Sequence, residues 1–358
     1  RYTLALEPMP DEEVTALDLG NVFHGAMERI VRKYLAAGRD FAADDPRTLR
    51  EIVLEANESA KLVREQVMLD DARGRFLLRR VKRALLETVM TQREIARRGH
   101  FRPAGVEMQF RKDNGNDESL PAIEIDVGDG RQVVLEGKID RIDLLDDATA
   151  FAVIDYKLRG KKLKLGEVYH GLALQLLVYL AVVRGANRIG TRPVHDPQPA
   201  AALYVALQRP TNTAKSVAER EDPLACWLTT KPRGVLNAAF ISSLDARMQS
   251  GERSDILRVQ WVKKDNSIKG DVVESRQLNQ LIAYVMQQVR ALGKQILDGV
   301  IKAKPYLTAD GRTPCTWCDY RAVCRFEPRT DGYRTLLKLS REQALEAIAK
   351  GQASVEGC

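Results

Sequence analysis

Two strand-like segments, residues 132–145 and 150–158, are separated only by a short acidic turn at Asp146–Asp147. Strands joined this closely pair as antiparallel neighbours, because so short a turn leaves no length for a crossover. An apolar helix pattern at 167–183 and a further strand pattern at 199–208 follow. Since a strand–helix–strand passage favours parallel pairing, this order of elements predicts a mixed sheet with a helix packed against it.

Helical patterns surround this segment, with apolar residues three and four positions apart. The fold class is therefore predicted to be α/β, with a mixed central β-sheet flanked by helices. Residues 211–270 mix Pro, Gly and charged residues, and are predicted to be an irregular insertion. The other predicted elements are helices over 16–35, 47–68, 74–98 and 274–300, a short helix near 341–349, and strands over 103–110 and 122–127.

The charge balance favours an anionic partner. The 358 residues carry a net charge of +7 and a sequence pI near 9.1, a balance typical of proteins that bind nucleic acid. No apolar run reaches the 18 residues expected of a membrane span, and no glycine-rich phosphate loop is present. The sequence shows no secretory signal pattern, so we expect a cytoplasmic protein without membrane contact.

Asp155 and Lys157 are the first candidate site residues. They stand two apart at the end of an apolar strand, so both side chains lie on one face of the sheet and Tyr156 lies on the other. In a hairpin centred on the acidic turn, Asp140 comes to the same height as Asp155. Two carboxylates with one ammonium group can bind a divalent ion and cut a phosphodiester; the alternative is a salt bridge at a strand end.

Three further residues are candidates for the same site. Gln175 and Tyr179 lie four apart on one face of the predicted apolar helix, where a buried amide requires a partner. The end of the preceding strand would provide it; otherwise the glutamine faces a cavity. His24 lies on the core side of the first helix and is either a metal ligand or a packed histidine.

Taken in order, "LGNVFHGAME", "GKIDRID", "VIDYK" and "QLLVY" resemble the nuclease domains of the RecB-like branch of the PD-(D/E)XK superfamily over residues 17–327. The resemblance implies a restriction-endonuclease-like core. It also implies that Lys157 serves the attacking water, and that Gln175 and Tyr179 support the site. The implied ligands of Mg²⁺ or Mn²⁺ are His24, Asp140, Asp155 and the backbone carbonyl of Tyr156.

The motif "PCTWCDYRAVCRF" places Cys315, Cys318 and Cys324 within ten residues. Such spacing is typical of either a zinc or an iron–sulfur site, one ligand short of four. The motif is similar to that of AddB-type subunits of bacterial helicase–nucleases, which implies a [4Fe–4S] cluster. There the fourth cysteine precedes the histidine-bearing helix, so we expect it upstream of Arg1; Cys226 and Cys358 are poorly placed.

These motifs define the predicted domain organisation. The nuclease domain would span residues 1–327, with the insertion at 211–270 and the cysteine segment at 305–327 inside it. A C-terminal tail would occupy 328–358.

The resemblance also implies partners: DNA as double-strand ends and single strands, and a helicase–nuclease partner subunit, in double-strand-break processing for recombinational repair. A cationic loop after the second site strand would follow the DNA backbone, unless it is only a solvated loop. Two other functions are considered, namely a stand-alone iron–sulfur exonuclease of the CRISPR adaptation type and a catalytically silent DNA-binding scaffold. The loop cations are Arg159, Lys161, Lys162 and Lys164.

Overall fold

A seven-stranded mixed sheet forms the centre of the molecule. The computed structural model describes residues 16–59, 72–112, 119–207 and 231–351. The strand order in the sheet is β13-β10-β9-β6-β5-β1-β2, numbered along the chain. The strands are β1 Phe101–Arg111, β2 Leu120–Pro121, β3 Ile123–Gly128, β4 Arg131–Leu135, β5 Gly137–Leu145, β6 Ala150–Lys157, β7 Arg188–Ile189, β8 Arg192–Pro193, β9 Gln198–Ala206, β10 Arg233–Asn237, β11 Val259–Val262, β12 Ser267–Gly270, β13 Val272–Val273, β14 Tyr306–Thr308 and β15 Arg334–Leu336.

Helices cover both faces of this sheet, which confirms the predicted α/β class. Helices α1, α2 and α3 pack on one face through residues such as Phe23, Leu49 and Leu85. Helices α5, α7 and α9 pack on the other face, where Leu180 and Leu281 are fully buried. The described helices are α1 Ala16–Ala36, α2 Pro46–Ser59, α3 Ala72–Arg98, α4 Leu165–Tyr169, α5 Gln175–Arg184, α6 Ile241–Leu244, α7 Ser275–Leu297, α8 Arg321–Cys324 and α9 Arg341–Ala349.

The central hairpin and the crossover that follows it form as predicted. Strand β6 pairs antiparallel with β5 and parallel with β9. Helix α5 lies between β6 and β9 in the chain and packs on that sheet. Strand β6 is buried on both faces along almost its whole length, as expected for a central strand with helices above and below it. The pairing therefore fixes which side chains of β6 meet each helical layer.

The predicted apolar helix over 167–183 is wrong as a single element. The structure divides it into α4 and α5, because Gly171 adopts a positive φ of 76° just after α4. A glycine in this left-handed conformation commonly ends a helix, and the backbone N–H of Leu172 then donates to the carbonyl of Glu167. The break lets α5 begin at Gln175, directly over the sheet.

The predicted strand over 132–145 is also divided. Residues 131–135 form β4, which pairs only with β3 in a separate two-stranded ribbon, and β5 begins at Gly137. The central-sheet partner of β5 on its other edge is β1. The ribbon packs on α7, where Val133 lies against Gly293.

Residues 211–270 are not an irregular insertion throughout. Residues 233–237 form β10, which pairs antiparallel with β9 inside the central sheet, and 259–270 form the β11–β12 hairpin. Residues 208–230, like 60–68 of the second predicted helix, lie outside the described part of the chain.

The C-terminal segment packs on the domain. The helix predicted near 341–349 is α9, and its Ala344 and Ile348 are buried in the same apolar layer as α5 and α7. In addition, β15 pairs parallel with β14. Within the described ranges, no helix combines the length and the apolar content needed to cross a membrane.

Gly234 tests whether β10 belongs to the central sheet. A Cβ at this position would overlap the backbone carbonyl oxygen of Ala202 on β9, so we expect Gly234→Ala to lower the free energy of unfolding by roughly 1–3 kcal/mol. The measurement is equilibrium denaturation. The matched control is Gly20→Ala on α1, where a Cβ meets nothing within 4 Å and alanine is favoured by up to about 1 kcal/mol. Equal effects of the two substitutions would contradict this strand placement.

Candidate active site

The β5–β6 hairpin brings Asp140 and Asp155 to one height on neighbouring strands. The register pairs Arg141 with Ile154, and Asp140 and Asp155 are the next residues outward on each strand. Asp155 is only 1% exposed and Asp140 8%. Two carboxylates are therefore buried side by side at the end of the sheet, as the length of the turn predicts.

Asp140 is bound from two directions. Its Oδ2 accepts a hydrogen bond of 2.7 Å from the backbone N–H of Tyr156 and lies 3.3 Å from Nδ1 of His24 on α1. Burial and the neighbouring charge of Asp155 raise the pKa of Asp140 to about 6, although His24 and the backbone N–H act in the opposite direction. A cation at this position would offset the cost of ionising this carboxyl group.

Asp155 begins a chain of contacts that reaches α5. Its Oδ2 lies 2.5 Å from Nζ of Lys157, which donates to Oε1 of Gln175 at 3.3 Å. Nε2 of Gln175 donates to the hydroxyl of Tyr179 at 2.9 Å. Burial raises the pKa of Asp155, and the ammonium group of Lys157 opposes that shift. The sequence-predicted residues on β6 and α5 therefore meet, and the glutamine amide has the partners that its position requires.

Glu107 on β1 is a site residue that sequence reasoning missed. Among the described residues, one set of three potential ligands has its donor atoms within 4.8 Å of one another, namely His24, Glu107 and Asp140. The pairs Val106–Arg141 and Met108–Ile139 place Glu107 directly opposite Asp140. The Glu107 side chain is 8% exposed and forms an ion pair with Lys138. A third buried carboxylate thus joins the site from the next strand.

The backbone of Glu107 is unusual for a strand. Its φ of 51° lies in the left-handed region, which costs a residue other than glycine roughly 1–3 kcal/mol. Such conformations cluster at functional sites, where the surrounding structure enforces them. The only signal available in the sequence was a glutamate inside "VEMQF", between residues that the structure buries in the sheet.

Tyr156 and Arg141 lock the opposite face of the hairpin. The guanidinium group of Arg141 donates to both carboxylate oxygens of Asp143, at 2.6 and 2.7 Å, and to Oε1 of Gln92 on α3. It also donates to the hydroxyl of Tyr156 at 3.3 Å. Because all four side chains are buried, this network fixes β5, β6 and α3 relative to one another. The Tyr156 side chain is therefore structural, while its backbone carbonyl stays a predicted ligand.

The predicted cationic loop extends from the site into solvent. Arg159 and Lys162 are exposed, and Lys164 donates to Glu167 at 2.8 Å. Lys161 turns back toward the sheet, and its Nζ lies 5.0 Å from the ring centroid of Tyr204. Burial of its ammonium group and the nearby charge of Lys157 lower the pKa of Lys161. The structure thus separates Lys161 from the other loop cations.

The three clustered cysteines are free thiols at the molecular surface. Cys315 lies in a single helical turn at Pro314–Trp317, and Cys324 ends α8. Their sulfur atoms are not all within 4.8 Å of one another. Since tetrahedral Zn–S bonds of about 2.3 Å place thiolates about 3.8 Å apart, the described arrangement does not form a compact zinc site. Cys226 and Cys358 lie outside the described residues.

A mixed sheet with buried carboxylates and a lysine on its central hairpin, flanked by helices, is the architecture of a PD-(D/E)XK nuclease. The profile of the PD-(D/E)XK nuclease superfamily matches residues 1–325, and the chain belongs to this superfamily of nucleases. Its catalytic class is therefore that of a phosphodiester hydrolase.

The proteins similar to this chain are named as one of the subunits of an ATP-dependent helicase/deoxyribonuclease. The relative from Bacillus thuringiensis (strain Al Hakam) is 31% identical over 360 residues, which cover 97% of this chain and 30% of the relative. The relative from Bacillus cereus (strain B4264) is 30% identical over 358 residues, with the same two coverages. The chain thus spans about a third of the length of these relatives.

The raised pKa of Asp140 predicts a pH-dependent stability of the metal-free protein. Unfolded Asp ionises near pH 4 and folded Asp140 near 6, so stability should fall by roughly 2–3 kcal/mol as pH rises between these values and then level off. Urea denaturation in EDTA across this range measures the effect.

The Asp140→Asn variant is the reference for this measurement, because it cannot ionise at this position. Its stability should lack that part of the pH dependence. Parallel profiles for the wild type and Asp140→Asn would show that burial does not raise this pKa.

Proposed function

We propose that this chain is a divalent-metal-dependent DNA nuclease domain, and that it acts within a helicase–nuclease that processes DNA double-strand breaks for recombinational repair in the cytoplasm. One observation carries the catalytic part of the proposal. The donor atoms of His24, Glu107 and Asp140 converge within 4.8 Å, next to the Asp155–Lys157 pair.

The donor set fits Mg²⁺ or Mn²⁺. Carboxylate oxygens are the preferred ligands of these ions, and an imidazole nitrogen is compatible with Mn²⁺. Buried carboxylates that lie close together repel one another, and a divalent cation removes that repulsion. We assign the metal to Asp140, Glu107 and His24, with Asp155 and the backbone carbonyl of Tyr156 completing the site from β6. Bound there, the ion would supply an activated water and stabilise the charge on the phosphodiester.

The other residues of the site have roles that follow from their contacts. Lys157 lies between Asp155 and Gln175, so its ammonium group is held at the edge of the metal position, where it can bind the attacking water or the phosphate. Tyr179 fixes the amide of Gln175, which in turn holds Lys157. Arg159, Lys161, Lys162 and Lys164 would contact the phosphates of the bound strand.

The relatives support the wider part of the proposal. Their name joins a helicase to a deoxyribonuclease, and this chain is similar to the part of them that it covers. We infer that DNA reaches this site from a motor elsewhere in the assembly, and that a partner subunit contributes to it. A stand-alone nuclease and a silent DNA-binding scaffold are the competing functions.

Replacing the site carboxylates tests the nuclease directly. We expect Asp155→Asn and Glu107→Gln each to reduce Mg²⁺-dependent degradation of end-labelled linear DNA at least about 100-fold, because each removes a negative charge from the metal site. The matched controls are Asp129→Asn and Glu124→Gln, whose carboxylates lie in the β3–β4 ribbon away from the site. These controls should cleave at the wild-type rate.

Each remaining outcome has a meaning. Cleavage by the wild type that both site variants retain would contradict the assignment of these carboxylates. A wild type that binds DNA but never cleaves it with Mg²⁺ or Mn²⁺ would support the silent scaffold. Full activity without any helicase partner would favour the stand-alone nuclease.

We further propose that Cys315, Cys318 and Cys324 supply three ligands of a [4Fe–4S] cluster. A cluster of several irons holds its thiolates further apart than a single zinc ion does, which suits the spread of these free thiols better. Protein purified without oxygen should be brown and contain iron and sulfide, and Cys318→Ala should lose both. Cys226→Ala should retain them. Colourless protein that contains stoichiometric zinc would contradict the cluster.

A further inference from the structure

Tyr204 lies beside the candidate site without belonging to any of its motifs. It is on β9, directly opposite Asp155 in the parallel pairing of β6 with β9, and is 2% exposed. Residues paired in this way project to the same face of a sheet. The tyrosine ring is therefore part of the surface on which the Asp155 and Lys157 side chains lie.

Two ammonium groups lie close to this one ring. Nζ of Lys157 is 5.6 Å from the ring centroid, and Nζ of Lys161 is 5.0 Å from it. Both distances are within the roughly 6 Å over which an aromatic ring attracts a cation. The two lysines repel each other, so their shared position requires an attraction that offsets the repulsion; for Lys157, Asp155 provides another part of it.

The hydroxyl of Tyr204 does not explain the residue. It is buried, and among the described residues it has no hydrogen-bonding partner. Burial raises the pKa of this phenol, so it stays neutral and adds no charge to the site. The part of Tyr204 that contacts the site is the aromatic ring.

Resting on the proposed nuclease function, we propose that Tyr204 is a positioning residue whose ring holds Lys157 and Lys161 side by side, so that two cations face the phosphodiester. Lys157 serves the reacting centre, and Lys161 binds a phosphate oxygen of the same strand. This assigns Lys161 to the site itself, whereas Arg159, Lys162 and Lys164 remain loop cations. The substrate feature recognised is thus the polyanionic backbone on both sides of the metal.

The test separates the electronic effect of the ring from its packing. Tyr204→Phe keeps the ring and is the reference, and phenylalanines with one, two and three ring fluorines are then placed at position 204. Each fluorine weakens the attraction of the ring face for cations while its shape changes little. The full chain is assayed for single-turnover cleavage of linear DNA in saturating Mg²⁺, and its unfolding midpoint is measured in parallel.

We expect the logarithm of the cleavage rate to fall with each added fluorine, by about tenfold in total, while the unfolding midpoint stays constant. In a Lys161→Ala background the same series should fall less steeply, because one of the two cations is gone. The control is the same fluorinated series at Phe151, which is fully buried on β6 and lies under no cation in the described structure. That series should leave the rate unchanged.

A rate that is independent of fluorination, or one that follows the unfolding midpoint, would overturn the proposal. If the wild type does not cleave DNA at all, the proposed function fails, and the positioning of the lysines is read by NMR instead. The Cε protons of Lys157 and Lys161 should then be shifted upfield by the ring and should lose that shift in Tyr204→Leu. Unshifted lysines in the wild type would overturn the positioning independently of activity.

Discussion

The burial of Asp140 and Asp155 is the constraint on which the rest of the structure depends. Isolated buried carboxylates are costly unless they are paired and hydrogen-bonded, so every neighbouring element must contribute a compensating group. The backbone N–H of Tyr156 and Nδ1 of His24 serve Asp140, and Lys157 serves Asp155. Metal coordination completes the compensation in the proposed function, which links the folding of this sheet to its chemistry.

Strand β6 divides the two tasks between its faces. Asp155 and Lys157 project toward the layer of α5, which supplies Gln175, whereas Tyr156 projects toward α3 and the Arg141 network. A residue that aligns the hairpin and a residue that performs chemistry are thus adjacent in sequence and separated by the sheet. This arrangement lets the buried ion pair on one side hold the geometry of the charged site on the other.

Several features could be predicted because they depend on local spacing. The acidic turn fixed the relative height of Asp140 and Asp155, and the two-residue period placed Asp155 and Lys157 together. Other features were missed because neighbours in space decide them. Strand β10 is short, begins Arg-Gly, and is stabilised by pairing with β9, where only a glycine fits against the Ala202 carbonyl. Gly171 divides a pattern that is apolar on both sides of it.

The sequence by itself determined the class of fold, the central hairpin and the residues of the ordered motifs, because strand period, turn length and helical period are short-range properties. Only the tertiary structure decided that Glu107 and Tyr204 belong to the site. Glu107 enters through a left-handed backbone conformation, which no side-chain period reports, and Tyr204 through a parallel register set across a helix. Their positions depend on packing between elements that are distant in the chain, and a linear pattern carries no record of that packing.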